Sequence, residues 1–337
     1  MKLKIDQGVK RKMVSISMIL IMAVAFGLAS QSFFTERNVF SMLREVSVIG
    51  LLSVGVTFVI IGGGIDISTG AIMAVSAMIC SRLVIMTLMP IWLIVAIALA
   101  AGAACGIVNG LLVTRLKMSE LIATFSTMFV FRGFVYMLAF RDGDGRLITK
   151  AITDKSFLVI GSSWNGFYPM TLGWVAAFLL GYFILKKTRL GTYIYAIGTD
   201  RKAALYSGIK VDFIKVVTFI ISGFCSALAG VFLVAWQGSV ALNSGSGMEF
   251  QAIAAAVVGG IALSGGRGDT IGTAVGSIFM IMLINGIYKF GLPTEIQTIT
   301  YGAVIIIMAV FDSVYFKTLD KRNRVSKRMT GKEGTVQ

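Results

Sequence analysis

Uninterrupted apolar runs close to twenty residues long dominate this chain, as in IWLIVAIALAAGAACGIVNGLLV over residues 91–113. A helix needs about 20 such residues to cross the hydrocarbon core of a bilayer. Charged residues make up only 14% of the chain and apolar residues 56%, whereas soluble domains carry roughly 25% charged residues. A membrane β-barrel would show alternation in place of these runs. The fold class is therefore all-α, a polytopic transmembrane helical bundle whose partner is the lipid bilayer.

Ten spans are expected, over 13–30, 46–62, 68–88, 91–113, 119–140, 169–186, 212–236, 250–264, 269–290 and 296–316. The eighth is short and broken by glycine, and the second and third flank a glycine-rich stretch, so some helices are expected to be broken. Residues 1–30 read as a retained span, because the apolar run is long for a signal peptide and no clean cleavage site follows.

The net charge is +15. Its placement excludes a nucleic-acid surface. Twenty-two of the 31 Lys and Arg residues fall on 1–12, 115–117, 186–215, 265–268 and 317–337, and six fall on 31–45 and 141–168. The positive-inside rule then puts both termini in the cytoplasm. The organisation is a cytoplasmic segment 1–12, a membrane domain 13–316 and a basic cytoplasmic tail 317–337. Within the membrane domain, 141–168 is an outer loop and 186–215 an inner one.

Two glycine-rich interruptions carry acids: GGGIDISTG, with Gly62, Gly63, Gly64, Asp66 and Ser68, and LSGGRGDTIG, with Asp269. Glycine permits unwound backbone, which is tolerated at membrane depth where it lines a cavity. Paired interruptions often mark a transport path. The competing reading is a tight turn, with each Asp capping the following helix. Asn109, Ser126, Thr127 and Gln251 are further polar candidates for a path, or for bonds between helices. The inner loop contains TDRKAALYSG, which predicts about two helical turns capped by Thr199 or Asp200 and stopped by Gly208. Such a helix suits docking of a partner, or serves as a connector. Glycines 102, 106 and 110, and the similar SALAG and GTAVG, predict close helix packing.

Histidine is absent, and the three cysteines, Cys80, Cys105 and Cys225, lie in apolar runs with no zinc spacing. No metal site and no catalytic group is expected. There is no G-x-x-x-x-G-K-[ST], hence no phosphate-binding loop. A transport subunit energised by another chain fits better than a lone facilitator.

Four stretches resemble one family, the permease subunits of bacterial ABC importers for simple sugars, the ribose type. GGGIDISTGAIMAVSAM resembles its GGIDLSVG motif, and IYAIGTDRKAALYSGI its cytoplasmic loop. AIAAAVVGGIALSGGRGDTIGTAVG (252–276) and ATFSTMFVFRG (123–133) are similar to two further family motifs. Departures are Ile67 and Thr69 in the first motif, Phe125 and Ser126 in the last, and Thr199–Asp200 in the loop. The resemblance implies a second permease chain, identical or homologous, and an extracytoplasmic sugar-binding protein. It also implies an ABC ATP-binding subunit that binds ATP and Mg, so this chain holds no cofactor. TDRKAALYSG would be the coupling helix, with Ala203 and Ala204 as its docking face, Arg201 and Lys202 pairing with acidic groups of the ATPase, and Ser207–Gly208 closing it. ATP-driven closure of the ATPase would flip the pathway between its two openings. Related permeases for branched-chain amino acids, nucleosides or autoinducer-type molecules are the rival reading, with an ATP-independent facilitator beside them.

Overall fold

The computed structural model describes residues 7–163, 168–293, 295–308 and 310. The tail 317–337, residues 1–6 and the part of the tenth expected span beyond residue 310 lie outside the described residues. The helices in order are α1 (Gln7–Ala29), α2 (Glu36–Ile61), α3 (Thr69–Met86), α4 (Ile91–Thr114), α5 (Glu120–Leu138), α6 (Lys155–Leu158), α7 (Pro169–Lys187), α8 (Arg189–Thr199), α9 (Arg201–Tyr206), α10 (Val211–Gln237), α11 (Met248–Val258), α12 (Thr270–Lys289) and α13 (Glu295–Met308). Between α5 and α6, Phe140–Arg141 and Leu147–Ile148 pair as a two-stranded antiparallel hairpin, β1 and β2.

Seven of these helices are long and apolar enough to cross a membrane: α2, α3, α4, α5, α7, α10 and α12. Three expected elements differ from their sequence reading. First, α2 begins at Glu36, ten residues before the expected span, and takes in much of 31–45, which was expected to be an outer loop. Charged Arg37, Arg44 and Glu45 mask this helical start in a hydropathy reading. Second, the expected span 250–264 is not continuous, because α11 stops after 11 residues and Gly259 to Asp269 run as turns. Gly260, Gly265, Gly266 and Gly268 all have positive φ there, a backbone that cannot continue a right-handed helix. Third, the loop 186–215 is mostly helical, with α8 preceding the short helix that the sequence announces.

α2 is the axis of the molecule. Every residue from Val46 to Ile61 is buried, as expected of a helix apolar all round. α10, α12, α11 and α7 pack around it. Polar side chains tie helices together, with Thr57 and Thr273 sharing a hydrogen bond at 2.7 Å and Asn38 and Asn285 exchanging two, at 2.8 and 3.2 Å. By contrast, α4, α5 and α7 turn apolar residues such as Ile107, Phe129 and Leu180 outward. That is the surface a bundle in lipid needs, since acyl chains are as apolar as leucine.

The glycine stripe on α4 does what its spacing predicts. A Cβ on Gly106 would fall on the Phe219 carbonyl, and one on Gly110 would meet the Val216 Cα at 2.8 Å. Gly102 likewise faces Gly223 and Ala227. The backbones of α4 and α10 therefore touch along this line. Gly230 of SALAG abuts α3, and Gly272 and Gly276 of GTAVG abut α11 and its end.

Candidate functional site

The first interruption folds as a turn followed by an extended re-entry. α2 ends at Ile61, and Gly63 takes φ +81°, a conformation glycine adopts without penalty. Residues 64–68 then run without helix to the start of α3. Asp66 is fully buried in that run. Its Oδ1 accepts from the Ser68 N–H at 2.9 Å and the Ser68 hydroxyl at 2.6 Å, and its Oδ2 accepts from the Ser222 hydroxyl of α10 at 2.8 Å. Asn109 Nδ2 of α4 donates to Ser68 Oγ at 2.7 Å, and the Thr127 hydroxyl of α5 donates to Asn109 Oδ1 at 2.6 Å.

Four residues singled out in the sequence, Asp66, Ser68, Asn109 and Thr127, thus meet in one network. The bonds linking these side chains all donate toward Asp66, whose partners are neutral groups. Ser222 completes it, and nothing in the sequence distinguishes that serine from Ser226 one turn on. The expected cap is absent: Ser68 occupies the N-cap of α3 with no side-chain capping bond, and Asp66 is spent on Ser68 and Ser222. In this conformation all four lie between packed helices.

The second interruption is different. Asp269 does cap its helix, accepting from the Gly272 N–H at 2.9 Å. The glycines before it interlock with the first motif. Gly266 N–H donates to the Ile61 carbonyl at 2.8 Å, and Gly265 lies against the Gly63 Cα. Gly198, near the end of α8, packs on the same Ile61 carbonyl and on the Gly266 amide. The Tyr195 hydroxyl donates to the Gly268 carbonyl. Three chain segments therefore meet backbone to backbone at one junction, and only glycine leaves room for it.

α9 projects from this junction. Asp200 caps it, accepting from the Lys202 and Ala203 N–H groups at 2.8 and 3.0 Å, and Gly208 follows with φ +79°. Thr199 donates to its own helix, to the Tyr195 carbonyl. Ala203 and Ser207 are exposed, but Ala204 is only 4% exposed and packs into this chain's core. Of the two-alanine face expected from the sequence, Ala204 is thus turned inward and only Ala203 faces out. The outward face is instead Leu205 and Tyr206, 60% and 88% exposed. Arg201 pairs with Asp212 of the same chain at 3.3 Å, and Lys117 joins them at 2.9 Å. Lys202 is exposed.

Beside α9 opens a cleft of about 590 Å³ lined by Gly62, Gly63, Lys117, Glu120, Gly198 and Lys215 among others. Glu120 and Lys215 form an ion pair there, mostly removed from solvent. A Cβ on Gly64 would meet the Glu120 carboxylate at 2.7 Å. Of the remaining sequence candidates, Ser126 is on the outward face of α5, and Gln251 donates to the Tyr301 hydroxyl of α13 at 2.7 Å.

Fold and geometry together describe a helical protein of the multi-pass membrane type, with broken helices joined at a glycine junction and a capped helix exposed beside it. Residues 38–309 match the family described as "Branched-chain amino acid transport system / permease component", and the chain belongs to that family. It is 37% identical over 306 residues to the ribose import permease protein RbsC of Bacillus subtilis (strain 168), covering 90% of this chain and 94% of that protein. It is 33% identical over 305 residues to RbsC of Escherichia coli (strain K12), covering 89% and 92%. The D-allose transport system permease protein AlsC of Escherichia coli (strain K12) is 31% identical over 298 residues, covering 88% and 90%.

Proposed function

We propose that this chain is the membrane-spanning permease subunit of an ATP-driven importer that moves a simple sugar across a bacterial plasma membrane. The observation that carries the reading is the likeness to ribose import permeases along nine-tenths of the chain. On this reading α1, α11 and α13 join the seven long helices to make ten membrane segments, with both termini cytoplasmic. A second permease chain completes the pathway. A binding protein delivers the sugar from outside, and an ABC ATPase supplies ATP and Mg chemistry that this chain has no motif to perform.

The geometry supports a coupling route. α9 is the docking element, with Leu205 and Tyr206 as its contact surface. It continues from α8, whose Gly198 lies on the backbone of both glycine interruptions. A push on α9 would therefore reach the end of α2 and the loop before α12 together. Backbone packed on backbone has little slack, since interiors are close-packed.

The test is co-purification with the ATPase in mild detergent, together with uptake of labelled D-ribose and D-allose. Tyr206→Asp is expected to lose the ATPase and uptake while still inserting and eluting as a folded protein. A Tyr206→Asp complex that forms and transports normally would refute the docking surface.

A further inference from the structure

Beyond the junction the molecule holds a second polar cavity, of about 670 Å³, between the start of α11 and α13. That is within the roughly 300–1,000 Å³ of small-molecule pockets. Glu249, Gln251, Glu295, Gln297, Thr298 and Tyr301 line it, with Phe250 at its side.

Helix lengths place the α11 end of this cavity in depth, while its α13 wall starts at Glu295, just past the far end of α12. α11 has 11 residues, about 16 Å of rise, against a hydrocarbon core of about 30 Å. The turns after it meet the glycine junction at one edge of the bundle, so its first residue lies near the middle of the bilayer. The start of α3 is at the same level, because Gly70 packs against the Gly245 carbonyl and the Glu249 carboxyl. Two broken helices therefore begin together, which is how transporters build midplane solute sites. The approach to α11, residues 239–247, is irregular backbone with Gly245 and Gly247 at φ +76° and +82°. Arg132 of α5 holds it by donating to the Ser244 carbonyl. Irregular backbone at such depth needs protein or a polar cavity around it.

The side chains there have unused hydrogen-bonding capacity. Glu249 is 4% exposed; its Oε1 accepts from the Gly247 N–H at 3.2 Å, while Oε2 is buried without a partner. That oxygen lies against Gly70 of α3, and Glu249 closes the cavity on this side. Gln251 Nε2 is used on Tyr301, which leaves the Gln251 carbonyl and the Tyr301 proton available. Carboxyl, carboxamide and hydroxyl groups interleave here, and a sugar hydroxyl both donates and accepts. Among the described residues no Lys or Arg lines the cavity, and Arg132 beside it is engaged by the Ser244 carbonyl, so the lining favours a neutral solute.

Resting on the permease reading above, we propose that this cavity is a transient binding site for a neutral, monosaccharide-sized polyol on its way through the membrane. Gln251 and Tyr301 position its hydroxyls.

The test reconstitutes the full transporter, with its ATPase and binding protein, in proteoliposomes. It follows uptake of labelled D-ribose, D-allose and L-arabinose alongside ATP hydrolysis. Gln251→Leu and Tyr301→Phe are each expected to lower uptake about tenfold, the worth of one lost hydrogen bond to a solute, with ATP hydrolysis retained. Wild-type uptake in both variants would overturn the site and leave the permease function standing. So would joint loss of uptake and hydrolysis, which marks a structural role. Loss only in Glu249→Gln would mark a cation site and also overturn the proposal. No uptake of any of the three sugars by the wild type would overturn the permease reading itself, and this site with it.

Discussion

Asp66 is a buried carboxylate whose partners are all neutral hydroxyl and amide donors. Removing it strands the groups that now point at it, and each orphaned buried donor costs about 1–3 kcal/mol. Asp66→Ala is therefore expected to lower the thermal unfolding midpoint in detergent clearly, and to reduce uptake. Asp154→Ala provides the comparison. Asp154 caps α6 at the surface by accepting from Ser156 and Phe157 N–H groups, and loss of such a cap costs about 1 kcal/mol. Equal midpoints in the two variants would show that the Asp66 network contributes no more than a surface cap. The motif's special character was legible in the sequence, because a charge among glycines and apolar runs stands out. Its partner Ser222 was not, since that residue looks like any small polar residue within an apolar helix.

At the scale of elements, the α4–α10 contact depends on missing side chains. Gly106→Leu would drive a side chain into the Phe219 carbonyl, whereas Gly133 on α5 has open space around it. Gly106→Leu is expected to abolish a monodisperse gel-filtration peak, and Gly133→Leu to preserve it; the same profile for both would contradict the close approach. Helix α9 was readable from Asp200, two turns of helix formers and Gly208, because caps act through near neighbours in sequence. Its inward residue was not, since the burial of Ala204 is set by the elements α9 rests on. The same holds for α11, where the glycines announced an interruption but only packing against α12 and α13 shows where the helix stops.

For the whole molecule, orientation is the open consequence of the charge asymmetry. Ser207 follows α9 and Asp144 sits in the β1–β2 hairpin, and both are exposed. In a Cys105→Ala background, with Cys80 and Cys225 buried, Asp144→Cys is expected to react with an impermeant maleimide on intact cells. Ser207→Cys is expected to react only after permeabilisation. The opposite pattern would invert the topology and remove α9 from the cytoplasm, and the docking role with it.

Composition and periodicity alone were enough to establish a helical membrane bundle, the approximate place of most of its helices, the glycine-rich packing lines and the capped α9. Those properties depend on local chemistry: the length of an apolar run, the side chain three residues before an amide, the absence of a Cβ. Three-dimensional packing settled which polar groups meet. It gathered Asp66, Ser68, Asn109, Thr127 and Ser222 from four segments, set Gly198 on the Ile61 carbonyl, and brought Gln251 to Tyr301 across 50 residues. Those meetings depend on how helices cross, and hydropathy carries no information about crossing.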